Sequence, residues 1–181
     1  MTIDPLMTLW AGAIPGYVAL HTKERRMAGQ IEAKLAELGI TLPRPMQPIA
    51  NYVPYVVTGN LVIVSGQLPA VDGKITVTGK VSWGVSADRA KEAARLCFIN
   101  LLVQLKAACG GDLDRVRRVV RLGGFIASPS EFTQQALVMN GASDLAVAVF
   151  GEAGRHARTT VGVPSLPADA TIEVEGMFEI A

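Results

Sequence analysis

The sequence predicts an α+β domain in which two long helices back one mixed β-sheet. Three observations carry that reading. Short runs rich in valine and isoleucine recur along the chain, two long apolar-faced segments each end at glycine, and residues 171–180 alternate in a period of two, with three glutamates on one side. Taken in order they give a helix, two or three strands, a helix, a strand, a helix and two strands, an arrangement that buries one face of a sheet under helices.

Each element has a local signature. Residues 30–38 carry Ile31, Leu35 and Leu38 on one helical face, with Gly39 as the stop. Pro43, Pro45 and Pro48 then exclude regular structure and mark an extended linker. Residues 52–57 and 61–65 are strand-like and flank Thr58-Gly59-Asn60, which reads as a β-hairpin. Asp72-Gly73 marks a second turn, beside a weak strand at 75–77. Ser86 caps a helix over 87–108 that Gly110-Gly111 ends. Its apolar residues, Ala93, Ala94, Leu96, Cys97, Leu101, Leu102 and Leu105, make a stripe broad enough to pack on a sheet. A strand over 116–126 closes at Ser128-Pro129-Ser130, and a second long helix spans 131–150 before Gly151. Strands at 159–163 and 171–180 complete the chain. In the last of these, Ile172, Val174, Gly176, Phe178 and Ile180 face one way, and Glu173, Glu175, Met177 and Glu179 the other.

Composition bounds the function. At 181 residues, half apolar and 18% charged, the chain has enough core to fold without staples. Residues 27–181 read as a single domain. Residues 1–26 are either an extension with little fold content or lie ahead of the functional start. Lys plus Arg number 17 against 16 Asp plus Glu, so no global field draws the protein to nucleic acid or an anionic membrane. The apolar stretch from Leu9 to Leu20 is too short to span a bilayer and holds Gly12, Pro15 and Gly16. Cys97 and Cys109 lie on one helix about 18 Å apart, which excludes a disulfide between them. Reduced, packed thiols suit a cytoplasmic setting. His21 and His156 form no Cys/His cluster with metal-ligand spacing, so no metal is expected.

The residues with chemical promise lie near the end. Arg158, in His156-Ala157-Arg158-Thr159-Thr160-Val161, offers a fixed fork of donors suited to a planar carboxylate. After Leu166-Pro167-Ala168-Asp169 come Glu173 and Glu175. A short turn between two strands would bring one of these carboxylates near Arg158, where it could hold a water beside a small anion. Upstream, Gly66 in Ser65-Gly66-Gln67 lets backbone approach a ligand closely.

From about residue 28 to the end, Gly59-Asn60, Ser65-Gly66-Gln67-Leu68-Pro69, Arg158 and the Leu166-Pro167 to Glu173 spacing together resemble the RidA family, also called YjgF or endoribonuclease L-PSP. The resemblance implies a chorismate-mutase-like fold, a homotrimer with pockets between neighbouring subunits, and a ligand that is a small carboxylate or imino acid. It implies hydrolytic deamination of 2-imino or enamine acids without a cofactor. Arg158 takes the place of the substrate-carboxylate arginine. The ungapped register from Leu166-Pro167 makes Glu173, rather than Glu175, the acid-base residue. Tyr52, Ser65, Gly66 and Asn140 match pocket positions, although Tyr52 lacks the glycine-proline pair that often precedes it. Thr160 departs from the cysteine that many deaminating members carry two residues after the arginine.

Two other functions stay in view. A non-catalytic regulatory protein could use Arg158 to sense a carboxylate, a reading that Thr160 favours. A ribonuclease on single-stranded RNA would rest on Arg115, Arg117, Arg118 and Arg121, with 115, 117 and 121 expected on one face of a strand. No interleaved aromatics or histidine pair accompany those arginines, which argues against nucleic acid as a partner.

Overall fold

A computed structural model describes residues 29–45 and 51–181; the expectations for residues 1–26 and for Pro48 lie outside these. The first element, α1 (Gln30–Glu37), ends where Gly39 stops it. Gly29 offers no capping side chain, and Asp114, 84 residues away from Gln30, takes that role by accepting from the Gln30 and Ile31 amides at 3.0 and 2.9 Å. Lys106 adds a 3.1 Å ion pair to Glu32, fastening α1 to the next long helix.

Two antiparallel strands follow, β1 (Tyr55–Thr58) and β2 (Leu61–Gln67). Tyr52 stands outside the hairpin that the sequence placed it in, because Pro54 intervenes and its carbonyl accepts from Ser65 N at 2.9 Å. A miniature hairpin pairs β3 (Ala70–Val71) with β4 (Lys74–Ile75), turned by Asp72 and Gly73 at φ 48° and 78°. Two central residues at positive φ are what a type I′ turn needs, and Asp-Gly tolerates that geometry best. The strand expected at 75–77 is thus displaced to Lys74–Ile75. Two further two-residue strands, β5 (Lys80–Val81) and β6 (Gly84–Val85), were not anticipated.

Helix α2 (Ala87–Ala108) has the boundaries that its signals dictate. Ser86 accepts from Arg89 N at 3.2 Å at one end, and Gly110 takes a positive φ beyond the other. Strand β7 (Val116–Ala127) precedes α3 (Gln135–Phe150), which starts four residues later than its apolar pattern suggests. Gln135 Nε2 donates to the Phe132 carbonyl at 2.6 Å, occupying the acceptor an earlier helical turn would need, while Phe132 itself is buried. Strands β8 (Ala157–Val163) and β9 (Ile172–Ile180) finish the chain.

The main sheet has the order β1-β2-β9-β7-β8 and is mixed, since β7 and β8 are parallel while the other pairs are antiparallel. Helix α2 lies over β2 and β9, and α3 over β7 and β8. On β9, Ile172, Val174 and Phe178 are fully buried beneath the helices, with Phe98, Leu101, Leu102 and Leu105 of α2 equally enclosed. Each such side chain contributes roughly 1.5–3 kcal/mol. Among the described residues no helix covers the opposite face of the sheet. There Val56, Ile63 and Val161 remain 49%, 42% and 42% exposed.

Candidate functional site

The candidate residues fall into two groups rather than one. Strand β7 lies between β8 and β9, so the short turn linking them does not make them neighbours. In register, Arg158 is paired with buried Leu122 and therefore projects on the helix side, whereas Glu173 is paired with Phe125 on the open side. The expected approach of Arg158 to Glu173 across a turn does not occur within one chain, because an entire strand and the thickness of the sheet separate them.

The first group surrounds Arg158. Asn140 and Ser143 are three residues apart on α3 and so share its face. The Arg158 Nη1 donates to Asn140 Oδ1 at 2.9 Å and to Ser143 Oγ at 3.1 Å. Ser143 Oγ is also 3.1 Å from His156 Nε2, whose Nδ1 lies 2.6 Å from the Gly154 carbonyl. Among the described residues no carboxylate pairs with Arg158, and its side chain is exposed. A cation held by neutral acceptors, with its charge unneutralised, can receive an anion. Thr160 points to the same side two residues along β8, and its hydroxyl is buried without a partner among the described residues.

The second group gathers at the far end of β2. The pairing of β2 with β9 is interrupted between Val64 and Gln67, and this bulge turns Ser65 and Gly66 out of the regular ladder. Ser65 Oγ donates to the Val53 carbonyl at 2.8 Å, which ties the segment after Tyr52 to the bulge; Tyr52 itself is 55% exposed. A Cβ at Gly66 would overlap the carboxyl group of Glu173, so the glycine leaves that carboxyl its place. Glu173 is half-buried, and neither a hydrogen bond nor an ion pair with a described residue engages it. Burial foremost, and then the neighbouring Glu175 carboxylate, raise its pKa above the ordinary carboxylate value.

Glu173 and Glu175 share a face but not a condition. Glu175 is paired with Arg121 at 2.9 Å, while Glu173 has no counter-ion among the described residues. Sequence reasoning found no residue-level difference between them apart from the register. It also missed Ser143 and His156, whose only signals were the three-residue spacing from Asn140 and the two-residue spacing from Arg158.

The basic strand does not form a row. Arg115 sits in a helical turn before β7 and donates to the Cys109 and Ala181 carbonyls at 3.2 and 2.8 Å. Register shifts between Val116 and Arg118 and between Val119 and Arg121 break the alternation that would have aligned Arg115, Arg117 and Arg121. Both cysteines are free and buried, and burial raises their pKa values, which keeps them as unreactive thiols. Carboxylates of Glu32, Asp112 and Asp114 cluster, yet Lys106, the Asp114 amide and the α1 amides engage them. An open groove of about 720 Å³ beside α2, lined by Thr76, Asp88, Arg89, Glu92 and Leu96, contains none of the candidate residues.

Comparison with known proteins agrees with this architecture. Protein TCP17 of Trypanosoma cruzi is 46% identical over 154 residues, covering 84% of this chain and 96% of that protein. A 2-iminobutanoate/2-iminopropanoate deaminase of Dermatophagoides farinae is 30% identical, covering 78% of this chain and 94% of its own. A crystal structure of an Agrobacterium tumefaciens protein of unknown function superposes with a TM-score of 0.79 at 53% identity, over 84% of this chain and 93% of that one. Residues 32–179 match the YjgF/chorismate mutase-like family, which also carries the endoribonuclease name, and the chain belongs to that family.

Proposed function

We propose that this protein hydrolyses reactive 2-imino acids to 2-oxo acids and ammonia, in pockets that form where two copies meet. The observation that carries the proposal is Arg158, a guanidinium fixed through Nη1 and left without a carboxylate. The deaminase name of the Dermatophagoides relative supports the reaction class.

In the proposed reaction, Arg158 forks onto the substrate carboxylate and sets the C=N carbon near Glu173. Glu173, ionised, accepts a proton from water as the water oxygen bonds to the carbon of the protonated imine, C=NH2⁺, whose π electrons pass to nitrogen and leave a neutral amine. The protonated Glu173 then gives its proton to the amine, the C–N bond breaks, and ammonia leaves. Loss of the hydroxyl proton yields the ketone. A raised Glu173 pKa suits this exchange, because acid and base catalysis are most effective when the pKa approaches the working pH.

Since Arg158 and Glu173 project to opposite faces of one sheet, a site using both needs a second copy to supply the missing half. The edges β1 and β8, unpaired among the described residues, and the exposed apolar side chains of Val56 and Ile63 at one side and Val161 at the other offer the surfaces for such an assembly. A homotrimer, with Tyr52, Ser65 and Gly66 from one copy facing Asn140, Arg158 and Thr160 of the next, is the arrangement we favour.

A specific observation supports a second reading, a carboxylate sensor without turnover. The Thr160 hydroxyl is buried without a partner among the described residues, at the position where the family resemblance implies a cysteine. One experiment separates the two. 2-Iminobutanoate generated enzymatically is supplied to the protein, and 2-oxobutanoate and ammonia are followed against buffer. Acceleration establishes the deaminase; tight 2-oxobutanoate binding without acceleration establishes the sensor. Light scattering is expected to give a mass near three chains, and a monodisperse monomer would remove the shared pocket.

A further inference from the structure

We propose that Ser143 and His156 are positioning residues that lock the Arg158 guanidinium and restrict the edge it presents to ligand; the ligand part rests on the carboxylate-clamp reading above. The direction of every hydrogen in this group follows from donor chemistry. A backbone carbonyl only accepts, so the 2.6 Å contact between Gly154 O and His156 Nδ1 requires the proton on Nδ1. In the neutral imidazole Nε2 is then bare and must accept, so at 3.1 Å the Ser143 hydroxyl donates to it. With its only hydrogen used, Ser143 Oγ turns a lone pair to Arg158 Nη1, also at 3.1 Å.

Arginine only donates, so the oxygen of Asn140, rather than its nitrogen, must face Nη1, as it does at 2.9 Å. The two hydrogens of Nη1 are thus shared between Asn140 and Ser143, and the edge formed by Nε and Nη2 is free of described partners. A ligand must therefore be a planar or tetrahedral oxyanion that takes that edge side-on with two oxygens. The pattern arises from two periodicities meeting. Asn140 and Ser143 are one helical turn apart on α3, while His156 and Arg158 are two residues apart along an extended segment.

The order of the chain makes Ser143 the hinge of the device. His156 makes no hydrogen bond to Arg158 and acts on it only by deciding which way the serine hydroxyl points. Replacing His156 frees that hydroxyl to rotate, and Arg158 then loses a fixed acceptor.

Nitrogen NMR of the full-length protein tests the device without any ligand. Neutral His156 is expected as the Nδ1–H tautomer, the less common one in water. Arg158 is expected to show separate Nη1 and Nη2 signals that average together in Ser143→Ala and in His156→Ala. An Nε2–H tautomer, or unchanged Arg158 signals in both variants, overturns the proposal. Affinity for 2-oxobutanoate supplies the second readout. Ser143→Ala is expected to weaken it roughly fivefold, on the scale of one partly solvated hydrogen bond to a charged group. Ser143→Thr should recover most of that loss, and His156→Ala should add nothing in the Ser143→Ala background. Independent, multiplying losses in that double variant would also overturn the relay. If the wild type binds no 2-oxobutanoate while the spectra are as expected, the clamp reading fails and the positioning device stands.

Discussion

Arg158 and Glu173 are the two charged groups with the clearest claim to chemistry, and they are held in contrasting ways. The guanidinium stands at the rim of the helix-covered face, anchored by two neutral acceptors on α3. The carboxylate stands on the face that no described helix covers, half-buried, with no cation among the described residues and with a second carboxylate beside it. A folded chain ordinarily pairs such groups. Here the sheet separates an unneutralised cation from an unneutralised anion, so each is available to something outside its own chain. The helices serve to immobilise one half, while the bare sheet face leaves the other half ready for contact.

Removing the cation is the largest perturbation. Arg158→Ala is expected to weaken 2-oxo acid binding by at least about a hundredfold, since a bidentate pair contributes two charge-assisted hydrogen bonds of roughly 1.5–3 kcal/mol each. Thermal stability should barely change, because the side chain is exposed and serves no core contact. Arg158→Lys should recover little, as an ammonium cannot fork. Near-normal affinity in the lysine variant, measured by calorimetry, would show that Arg158 is not the clamp.

The carboxylate half separates by role. Glu173→Gln should lower turnover of 2-iminobutanoate by about a hundredfold while preserving much of the affinity for 2-oxobutanoate. Glu175→Gln should change turnover by less than about threefold, because it loses only a half-exposed ion pair with Arg121. The two inactive variants also report where the halves meet. Co-refolded Arg158→Ala and Glu173→Gln chains should recover about one quarter of wild-type activity, the statistical share of interfaces with both native residues in a mixed ring. No recovery from mixed oligomers would place both residues of each site in one chain, against the geometry described above.

The parts legible in the sequence were those set by local chemistry. Ser86 and Gly110-Gly111 bounded α2 to the residue because a cap and a stop act on their own helix. Alternation along β9 assigned Glu173 and Glu175 to one face for the same reason. What escaped depended on distant partners. The insertion of β7 between β8 and β9 follows from tertiary pairing, and no turn signal encodes it. Arg121 reaches Glu175 across 54 residues, and that contact distinguishes one glutamate from the other. The Arg158 group joins a helix face to a strand face, so neither periodicity alone revealed Ser143 or His156.

Two glycines sharpen the contrast between the faces. A methyl group at Gly66 would meet the movable end of Glu173, so Gly66→Ala should displace the carboxylate and cut turnover about tenfold with little change in stability. At Gly141 the obstruction is the Lys91 backbone carbonyl, where α3 crosses α2, and neither helix can yield without disturbing the core. Gly141→Ala should therefore cost about 1–3 kcal/mol, read as a lower Tm, while the surviving folded protein keeps its kcat. A Gly66→Ala variant that unfolds as readily as Gly141→Ala would mean that the open face is as closely packed as the covered one.

The smallest effect tests the solitude of Glu173 directly. Its pKa is raised in the folded chain, so between the unfolded and folded values the native state holds a proton that the unfolded state has released. Stability then falls as pH rises through that window, and the penalty is fully present above it. Glu173→Gln removes the titration, and should raise Tm at pH 8 by about 1–2 °C, a small shift because the group is half solvated. The difference should vanish near pH 3.5, below the ordinary carboxylate value of about 4.3, where both side chains are neutral. Scanning calorimetry at the two pH values reads this out. Should the glutamine variant melt lower at pH 8, the native carboxylate must be stabilised by a cation that its own chain does not provide. Arg158 of a second copy would then be the first residue to examine, by repeating the scan in the Arg158→Ala background.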